Sequence, residues 1–365
     1  MNEHVAPWSG AGSEEVKREQ FTFTGTGKEY FGIWIVNVLL TIVTLGIYSA
    51  WAKVRRLRYF YGNTQLAGAS FDYHARPTQI LVGRIIVLVL LAAYNIVLNL
   101  LPVFGLVLIP LFLLAMPWFI YRGLRFSARV TSYRNVRFDF KGSYGGAFVA
   151  YIVGPLLAVV SVGILVPFAS RWAWRYQLNN LTYGDRPVTS DPRVGAFYRQ
   201  WWVPVILLLI LTVVVPLAVS VVMAQLGLAT ETTETGEADI LLQALVLMYP
   251  LLILALASYS IIALFYRAGA RNVALDATVI DARHRLVSFV GRRRYVWISV
   301  TNVLVTILTL GLARPWAAVR MAKYLAATTA LDVSGRLDDF IGSVKDSAGV
   351  TGSEFIDFEG VDIGF

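Results

Sequence analysis

The side chains best suited to chemistry form a basic run, Lys53-Val-Arg-Arg-Leu-Arg58, with aromatic side chains on both sides. Cations beside tryptophan and tyrosine are typical of an interfacial helix that binds anionic lipid headgroups. A plain topology anchor is the alternative, because basic residues on the cytoplasmic side are enough to orient a membrane protein. With two positions from a similar segment near the C-terminus, the candidate headgroup ligands are Lys53, Arg55, Arg56, Arg58, Trp51, Tyr59, Arg320 and Lys323.

Amides and hydroxyls form a second candidate site inside the apolar segments. Asn37, Thr41 and Thr44 are spaced i, i+4 and i+7, which places them on one face of a helix. Such a stripe could line a polar path, but hydrogen bonds that hold packed helices together are the favoured interpretation. The predicted stripe comprises Asn37, Thr41, Thr44, Asn302, Thr306, Thr309, Asn95 and Asn99.

The groupings that catalysis requires are missing from the sequence. There is no cysteine, which excludes disulfides, thiolate nucleophiles and cysteine-ligated metals. The three histidines, His4, His74 and His284, lie far apart, and each is interpreted as a solvated loop residue. No phosphate-binding glycine loop and no HExxH motif is present. We therefore expect no enzymatic activity, no metal and no cofactor.

Composition indicates a membrane protein. Of 365 residues, 57% are hydrophobic and 15% are charged, against about 25% charged in an ordinary soluble domain. The net charge is +9, but Lys and Arg lie between apolar segments rather than on one polar domain. This placement predicts topology signals and anionic membrane lipids as partners, not nucleic acid. Protein partners cannot be named from the sequence.

The number of membrane crossings depends on where the charges lie. Hydropathy suggests seven apolar crossings. Seven crossings would place 17 of the 32 Lys and Arg on one side of the membrane and 15 on the other. Four crossings put all 32 on one side, so the positive-inside rule favours four over seven. We predict a multi-pass protein of the bacterial inner membrane with both termini cytoplasmic. The predicted crossings are 80–101, 103–121, 202–227 and 240–265.

The three remaining apolar segments resemble one another. Gly27–Thr64 aligns without a gap on Arg292–Thr329, and a fainter copy lies between them. The sequence therefore predicts an internal repeat, in which each unit has a dip into the membrane followed by two crossings, with a final dip. A helix from Tyr30 to Leu45 is about 24 Å long, short of the ~30 Å core. Glycine turns the chain at low cost, so the predicted hinges are Gly46, Gly163 and Gly311.

Alternating patterns at 21–24, 68–73, 136–140, 277–281 and 286–289 predict short strands beside the dips. The predicted fold is an all-α polytopic membrane protein with small cytoplasmic β elements. Its segments are a polar tail 1–20, repeat 1 at 21–135 (dip 30–62), repeat 2 at 136–275 (dip 146–178), repeat 3 at 276–335 (dip 295–327) and an acidic tail 336–365.

A known family has similar motifs. Thr44-Leu-Gly-Ile-Tyr-Ser-Ala-Trp-Ala-Lys-Val-Arg55, then Arg58-Tyr59 and Gly62-Asn-Thr64, resembles the signature of the YjgN-like family. The resemblance covers nearly the whole chain and implies a bacterial inner-membrane protein. It implies no activity, because the family has no assigned function. The middle copy departs from the motif, with Val166-Pro-Phe-Ala-Ser170 in place of Ser49-Ala-Trp-Ala-Lys53.

Two functions remain open. The first is the passage of a small solute, ion or lipid, and the alternative is a non-catalytic scaffold or lipid-organising protein that binds anionic headgroups. No Asp or Glu lies within the predicted crossings, which argues against proton- or sodium-driven transport. Arg84, four residues inside the first apolar segment, is interpreted as a cation whose side chain extends back to the interface.

Overall fold

The computed structural model describes residues 16–225 and 237–351, in which short strands alternate with pairs of helices. The strands are β1 (Val16–Gln20), β2 (Thr22–Phe23), β3 (Thr64–Leu66), β4 (Ala69–Tyr73), β5 (Thr131–Tyr133), β6 (Val136–Phe140), β7 (Leu181–Tyr183), β8 (Arg186–Ser190), β9 (Thr278–Ile280), β10 (His284–Ser288) and β11 (Thr329–Ser334). The helices are α1 (Gly27–Val43), α2 (Ser49–Gly62), α3 (Pro77–Leu100), α4 (Gly105–Arg129), α5 (Tyr144–Phe148), α6 (Gly154–Val160), α7 (Val166–Asn179), α8 (Val194–Gln225), α9 (Glu237–Asp276), α10 (Arg292–Leu308), α11 (Arg314–Ala327) and α12 (Leu337–Thr351).

All eleven strands belong to one antiparallel sheet, ordered β1-β11-β10-β9-β8-β7-β6-β5-β4-β3-β2. The strands at the two ends of this order, β1 and β2, are separated in the chain by Phe21 alone. The Phe21 amide donates a hydrogen bond to the Thr329 carbonyl at 3.1 Å. The sheet therefore curls until its two edges are joined by the chain, and it forms a near-barrel.

The prediction of an all-α protein with small β elements is wrong. Five strands coincide with the predicted alternating patterns, but six others, including β1 and β11, were not predicted. These six strands are three to six residues long, too short for alternation to be distinctive. The pairing of β1 with β11 is also non-local, since Val16 pairs with Ser334. The information that unites them into one sheet is therefore absent from any single window of sequence.

Antiparallel order places every pair of helices at the same end of the sheet. The chain rises along β2, β4, β6, β8 and β10, continues into helices and descends along the next strand. We call this end the helical rim, and the opposite end, where tight turns join the strands, the turn rim. Ala67, Arg134 and Asp281 have φ angles of 47°, 48° and 52° in three of those turns.

Three of the helical pairs are short hairpins: hairpin 1 (α1 and α2), hairpin 2 (α5 to α7, with a π-helical turn between α5 and α6) and hairpin 3 (α10 and α11). Each starts and ends on neighbouring strands. At the tip of hairpin 1, Gly46 has φ 92° and its amide donates to the Thr41 carbonyl at 2.7 Å. Gly311 has the same φ and donates to Thr306 at 2.7 Å, while Gly163 has φ 86°. Bonds of this kind cap a helix that ends in a left-handed residue.

The other two pairs are long. In the described ranges, four helices are long and apolar enough to cross a membrane: Pro77–Leu100, Val107–Arg129, Val194–Val221 and Leu252–Asp276. This number equals the four crossings that the placement of Lys and Arg predicts. α8 and α9 extend beyond the predicted crossings, because their ends near the sheet pack against hairpin 2 through Phe197, Tyr266 and Ala270.

Aromatic and aliphatic side chains fill the turn-rim end of the sheet. Tyr133, Tyr183 and Leu331 are buried there with Ile341 and Val344 of α12. Residues 337–351, predicted as part of an acidic tail, thus include a helix whose apolar face covers this end. Residues 352–365 lie outside the described residues.

Candidate functional site: a cation-lined cavity beside hairpin 1

The basic run predicted to bind headgroups lies on α2, and the structure divides it between two faces. Arg58 donates hydrogen bonds to the carbonyls of Tyr73 and Ala75, both at 3.3 Å. Arg55 donates to Asn37 Oδ1 at 3.2 Å. These two arginines therefore already bond to the protein itself.

Lys53 and Arg56 instead line a cavity of about 400 Å³. One helical turn separates them, so they share a face of α2. The other lining residues are Tyr30, Trp34, Asn37, Val38, Thr41 and Ile42 of α1, Ser49 and Ala52 of α2, Arg84 of α3 and Arg314 of α11. Four cations from three separate parts of the chain thus meet at one cavity.

No acidic side chain lines this cavity. Within the described ranges, none of its four cations forms an ion pair. Burial, together with the charges of Arg84 and Arg56, lowers the pKa of Lys53 below its ordinary value. Burial is the larger cause of this shift, and the two neighbouring guanidinium groups act in the same direction, so an anion in the cavity would oppose it.

Two contacts position the cations. Arg84 donates a hydrogen bond to the Ser49 hydroxyl, which joins α3 to the start of α2. Arg314 starts α11, with Pro315 at the first turn. Hairpin 3 packs against hairpin 1 through Trp316 and Phe31, whose rings lie 5.0 Å apart. The fourth cation therefore reaches the cavity only because the two hairpins are neighbours in the fold.

Sequence reasoning missed Arg84 and Arg314 as site residues. Arg84 was interpreted as an interfacial anchor, although its early position in the first spanning helix was the available signal. Arg314 aligns with Ser49 in the gapless comparison of the two similar segments. Nothing in that alignment reveals that Arg314 lies beside Lys53, because their proximity depends on the closed sheet.

The remaining predicted headgroup ligands lie outside the cavity lining. Arg320 donates to Thr301 Oγ1 at 2.8 Å and to Asn302 Oδ1 at 3.2 Å. Tyr59 stacks on Tyr30 at 5.3 Å, and its hydroxyl donates to the Thr26 carbonyl at 2.9 Å. Burial and the hydrogen bond with Glu29 raise the pKa of Tyr59 to about 12.

Two predicted ligands have no role in the cavity wall. Trp51 stacks on Tyr48, with ring centroids 6.0 Å apart. Lys323 does not line the cavity either. The predicted ligand set therefore contributes only Lys53 and Arg56 to this site.

The predicted polar stripe is largely satisfied by its own helices. Thr41 Oγ1 donates to the Asn37 carbonyl at 2.6 Å, and Thr306 Oγ1 makes the equivalent bond to Asn302. The amide of Asn302 donates to the Ala317 carbonyl of the facing helix at 2.9 Å. The further bonds within helices are Thr44 to Leu40, Thr309 to Val305, Asn95 to Leu91 and Asn99 to Asn95.

Only hairpin 1 has the cation pair. Ser170 and Ala173 occupy the positions seven and ten residues after Gly163, where hairpin 1 has Lys53 and Arg56. Near those positions hairpin 2 has an apolar cavity of about 140 Å³, lined by Leu157, Phe168 and Trp172 among others. In hairpin 3 the same positions are Ala318 and Met321.

Neither described histidine is in this cavity. His74 Nε2 lies 2.8 Å from Ser132 Oγ, and the buried His284 packs against Phe340 with ring centroids 4.4 Å apart. His4 lies outside the described residues. In the part of the chain that the structure describes, no group of three or more His, Asp or Glu residues could hold a metal ion.

Four long apolar helices and apolar hairpins on one rim of a sheet are compatible with a polytopic membrane protein. The chain belongs to the family described as bacterial protein of unknown function (DUF898), which matches residues 18–358.

Curated relatives confirm the resemblance to the YjgN-like family. Inner membrane protein YjgN of Salmonella typhimurium is 27% identical over 371 residues, which cover 89% of this chain and 91% of that protein. Inner membrane protein YjgN of Escherichia coli K12 is 35% identical over 150 residues, which cover 41% of this chain and 38% of that protein. No solved structure matches the chain.

Proposed function

We propose that this chain is a non-catalytic, multi-pass protein of the bacterial inner membrane that binds anionic phospholipids of the cytoplasmic leaflet through their phosphate groups. The observation that carries this proposal is the cavity bounded by Lys53, Arg56, Arg84 and Arg314 without an acidic neighbour. Guanidinium groups bind phosphate oxygens through paired, charge-assisted hydrogen bonds. A phosphate in the cavity would offset the mutual repulsion of the four cations.

The surroundings of the cavity support a lipid as the source of the phosphate. The tip of hairpin 1 presents apolar side chains outward, and Leu45 is 94% exposed. Its counterparts Leu310 and Val162 are 94% and 88% exposed. Exposed apolar side chains of this kind are typical of a surface that contacts lipid or another apolar partner, and lipid is the occupant we propose. The cations beneath the tip of hairpin 1 would then lie at headgroup depth.

The proposed orientation places the sheet and both termini in the cytoplasm. Each crossing pair leaves the helical rim and returns to it, so its two inner ends share one side with the sheet. The arginines between the apolar segments lie at this rim, as Arg76 does, or on the strands and turns of the sheet, as Arg134 does. The positive-inside rule puts this side in the cytoplasm. The inner-membrane location rests on the names of the relatives.

We also infer that the chain contains two copies of a unit made of a hairpin and two crossing helices, followed by a third hairpin. The three tip glycines have φ between 86° and 92°, and each amide donates to a carbonyl five residues earlier at 2.7 Å. Hairpin 1 has Lys53 and Arg56 where hairpins 2 and 3 have uncharged residues, so the copies would differ in binding.

Passage of a small solute, ion or lipid is the less supported function. Hydroxyls and amides that would have to line a path are bonded to carbonyls of their own helices, as for Thr41, Thr306 and Asn95. A polar path needs groups that are available to the permeating species.

The test uses the full chain purified in detergent and titrated with phosphatidylglycerol, with bound lipid counted by native mass spectrometry. Each cation contributes about 1 kcal/mol near an anionic surface, so K53Q/R56Q should weaken binding roughly 30-fold. The matched control K141Q/R193Q removes two exposed cations that do not line the cavity and should bind like the unmodified chain. Equal binding by all three proteins would refute the proposal.

A further inference from the structure

A second cavity lies between the first two spanning helices, α3 and α4. It measures about 640 Å³ and is bounded by residues 87–97 of α3 and 108–120 of α4. Its walls are aliphatic and aromatic, and the Tyr94 hydroxyl is the one polar side-chain group among the lining residues. We call this cavity the α3/α4 groove.

The second crossing pair is closed at the end near the sheet. There Trp201 of α8 and Tyr266 of α9 pack with ring centroids 4.9 Å apart. A Cβ added at Gly269 of α9 would lie 2.6 Å from the Gln200 side chain of α8. Near the sheet, the helices of the second pair are therefore in close contact.

The groove adjoins the cation cavity along α3. Arg84 lines the cavity, and Val87, three residues later, lines the groove. Three residues of helix correspond to about 4.5 Å along the axis. The charged site and the apolar site are therefore less than one helical turn apart along α3. In a phospholipid, the phosphate and the start of the acyl chains are separated by a similarly short distance.

We propose that the α3/α4 groove binds an acyl chain of the same anionic phospholipid whose phosphate occupies the cation cavity; this inference rests on the proposed function. The extent of the groove favours this occupant. From Val87 to Val97 it runs about 15 Å along α3, half of the ~30 Å apolar core. That is the depth of one leaflet, whereas a spanning helix of a partner protein would contact the full thickness.

Packing, rather than the hydrophobic effect, would hold the acyl chain in the groove. Bulk lipid is as apolar as the groove walls, so an acyl chain that moves from lipid into the groove gains no hydrophobic free energy. Close contacts with Phe112, Met116 and Phe119 would supply dispersion attraction. The phosphate contacts supply headgroup selectivity, and the groove supplies chain selectivity and slow exchange.

The experiment uses a phosphatidylglycerol probe with a photoreactive diazirine in one acyl chain. The full chain is reconstituted in phosphatidylcholine vesicles, irradiated, digested and mapped by mass spectrometry. Crosslinks should concentrate in residues 87–97 and 108–120. A115F fills the groove and should lower crosslinking about tenfold, in the range that overpacking costs. The control A218F, on an exposed face of α8, should leave crosslinking unchanged.

Two further arms separate the possible failures. Short-chain dihexanoyl-phosphatidylglycerol should bind A115F as it binds the unmodified chain, and K53Q/R56Q should lose both this binding and the crosslinks. Crosslinks spread evenly over all four spanning helices, or unaffected by A115F, would overturn the groove while leaving the phosphate site. Equal groove labelling by a phosphatidylcholine probe would also overturn it. Failure of the proposed function itself would appear as unchanged short-chain binding in K53Q/R56Q.

Discussion

Arg84 of the first spanning helix donates a hydrogen bond to the hydroxyl of Ser49, the residue that starts the second helix of hairpin 1. The bond connects a helix that can cross the membrane to one that turns back. It also fixes the guanidinium at the cavity wall beside Lys53 and Arg56. Arg84 is therefore part of the candidate site and has a structural contact beyond that of an interfacial anchor.

Arg84→Lys should weaken phosphatidylglycerol binding about tenfold, although the charge is kept. A guanidinium can bond Ser49 and a phosphate oxygen at the same time, whereas an ammonium acts as a compact point charge. Arg84→Gln should weaken binding further. Native mass spectrometry of the titrated protein measures both, with Lys141→Gln as the control. If Arg84→Lys binds phosphatidylglycerol as tightly as the unmodified protein does, the paired hydrogen bonds of the guanidinium do not contribute to binding.

Gly46→Val should lower the stability of the purified protein by at least about 1–2 kcal/mol, the cost of a left-handed conformation for a residue with a side chain. A Cβ at Gly46 would meet no atom within 4 Å, so the φ of 92° alone causes the loss. Gly32→Ala is the matched control, because its Cβ also has open space and its φ is not in the left-handed region. Chemical denaturation in detergent compares the two, and equal stabilities would contradict the hinge.

Hairpin 1 should lose stability in acid through Glu29. Hydrogen bonds from the Thr26 amide and then the Tyr59 hydroxyl lower the pKa of Glu29 below its ordinary 4.5. A carboxyl with a lowered folded-state pKa contributes stability that is present above the unfolded pKa and lost as pH falls through the folded value. Thermal unfolding of Glu29→Gln should therefore depend less on pH below about 4.5 than that of the unmodified chain. Parallel curves for the two proteins would exclude this contribution.

Single cysteines test the orientation, since the chain has none of its own. Lys141→Cys, on the exposed connection between β6 and hairpin 2, should resist a membrane-impermeant maleimide added outside intact spheroplasts. Thr233→Cys, which lies outside the described residues, should react with it. The reverse pattern would invert the proposed topology and remove the cavity from the cytoplasmic leaflet.

Helices were predictable from the sequence because their signals are local. The crossing predicted at 80–101 corresponds to an observed helix at Pro77–Leu100. The chain predicted to turn at Gly46 has one helix that ends at Val43 and a second that starts at Ser49. Apolar runs, glycine and charge placement each act within a few residues. The strands β6 and β10 were found by the same kind of local pattern.

The closed sheet and the cation cavity could not be predicted in this way. Gln20 pairs with Ala330, and the residue pattern within either strand does not indicate which strand it pairs with. Arg314 enters the cavity because hairpin 3 lies beside hairpin 1, which follows only once β1 and β2 are joined around Phe21. The basic run correctly indicated where positive charge is concentrated. It could not show that Arg58 is bonded to the carbonyls of Tyr73 in β4 and of Ala75 after it.

The pairing of β1 with β11 fixes the order of events during biosynthesis. β1 is made first, but its partner, residues 329–334, emerges more than 300 residues later. Contacts this distant in sequence form slowly. Until they form, the unpaired edge of the strand can pair with another chain and cause aggregation. Ribosomes add about 5–20 residues per second, so the first strand waits at least about 15 seconds for its partner while the helices between them are made. The sheet therefore cannot close before residues 329–334 are made, and a chain truncated before residue 329 would expose the edges of a sheet that cannot close.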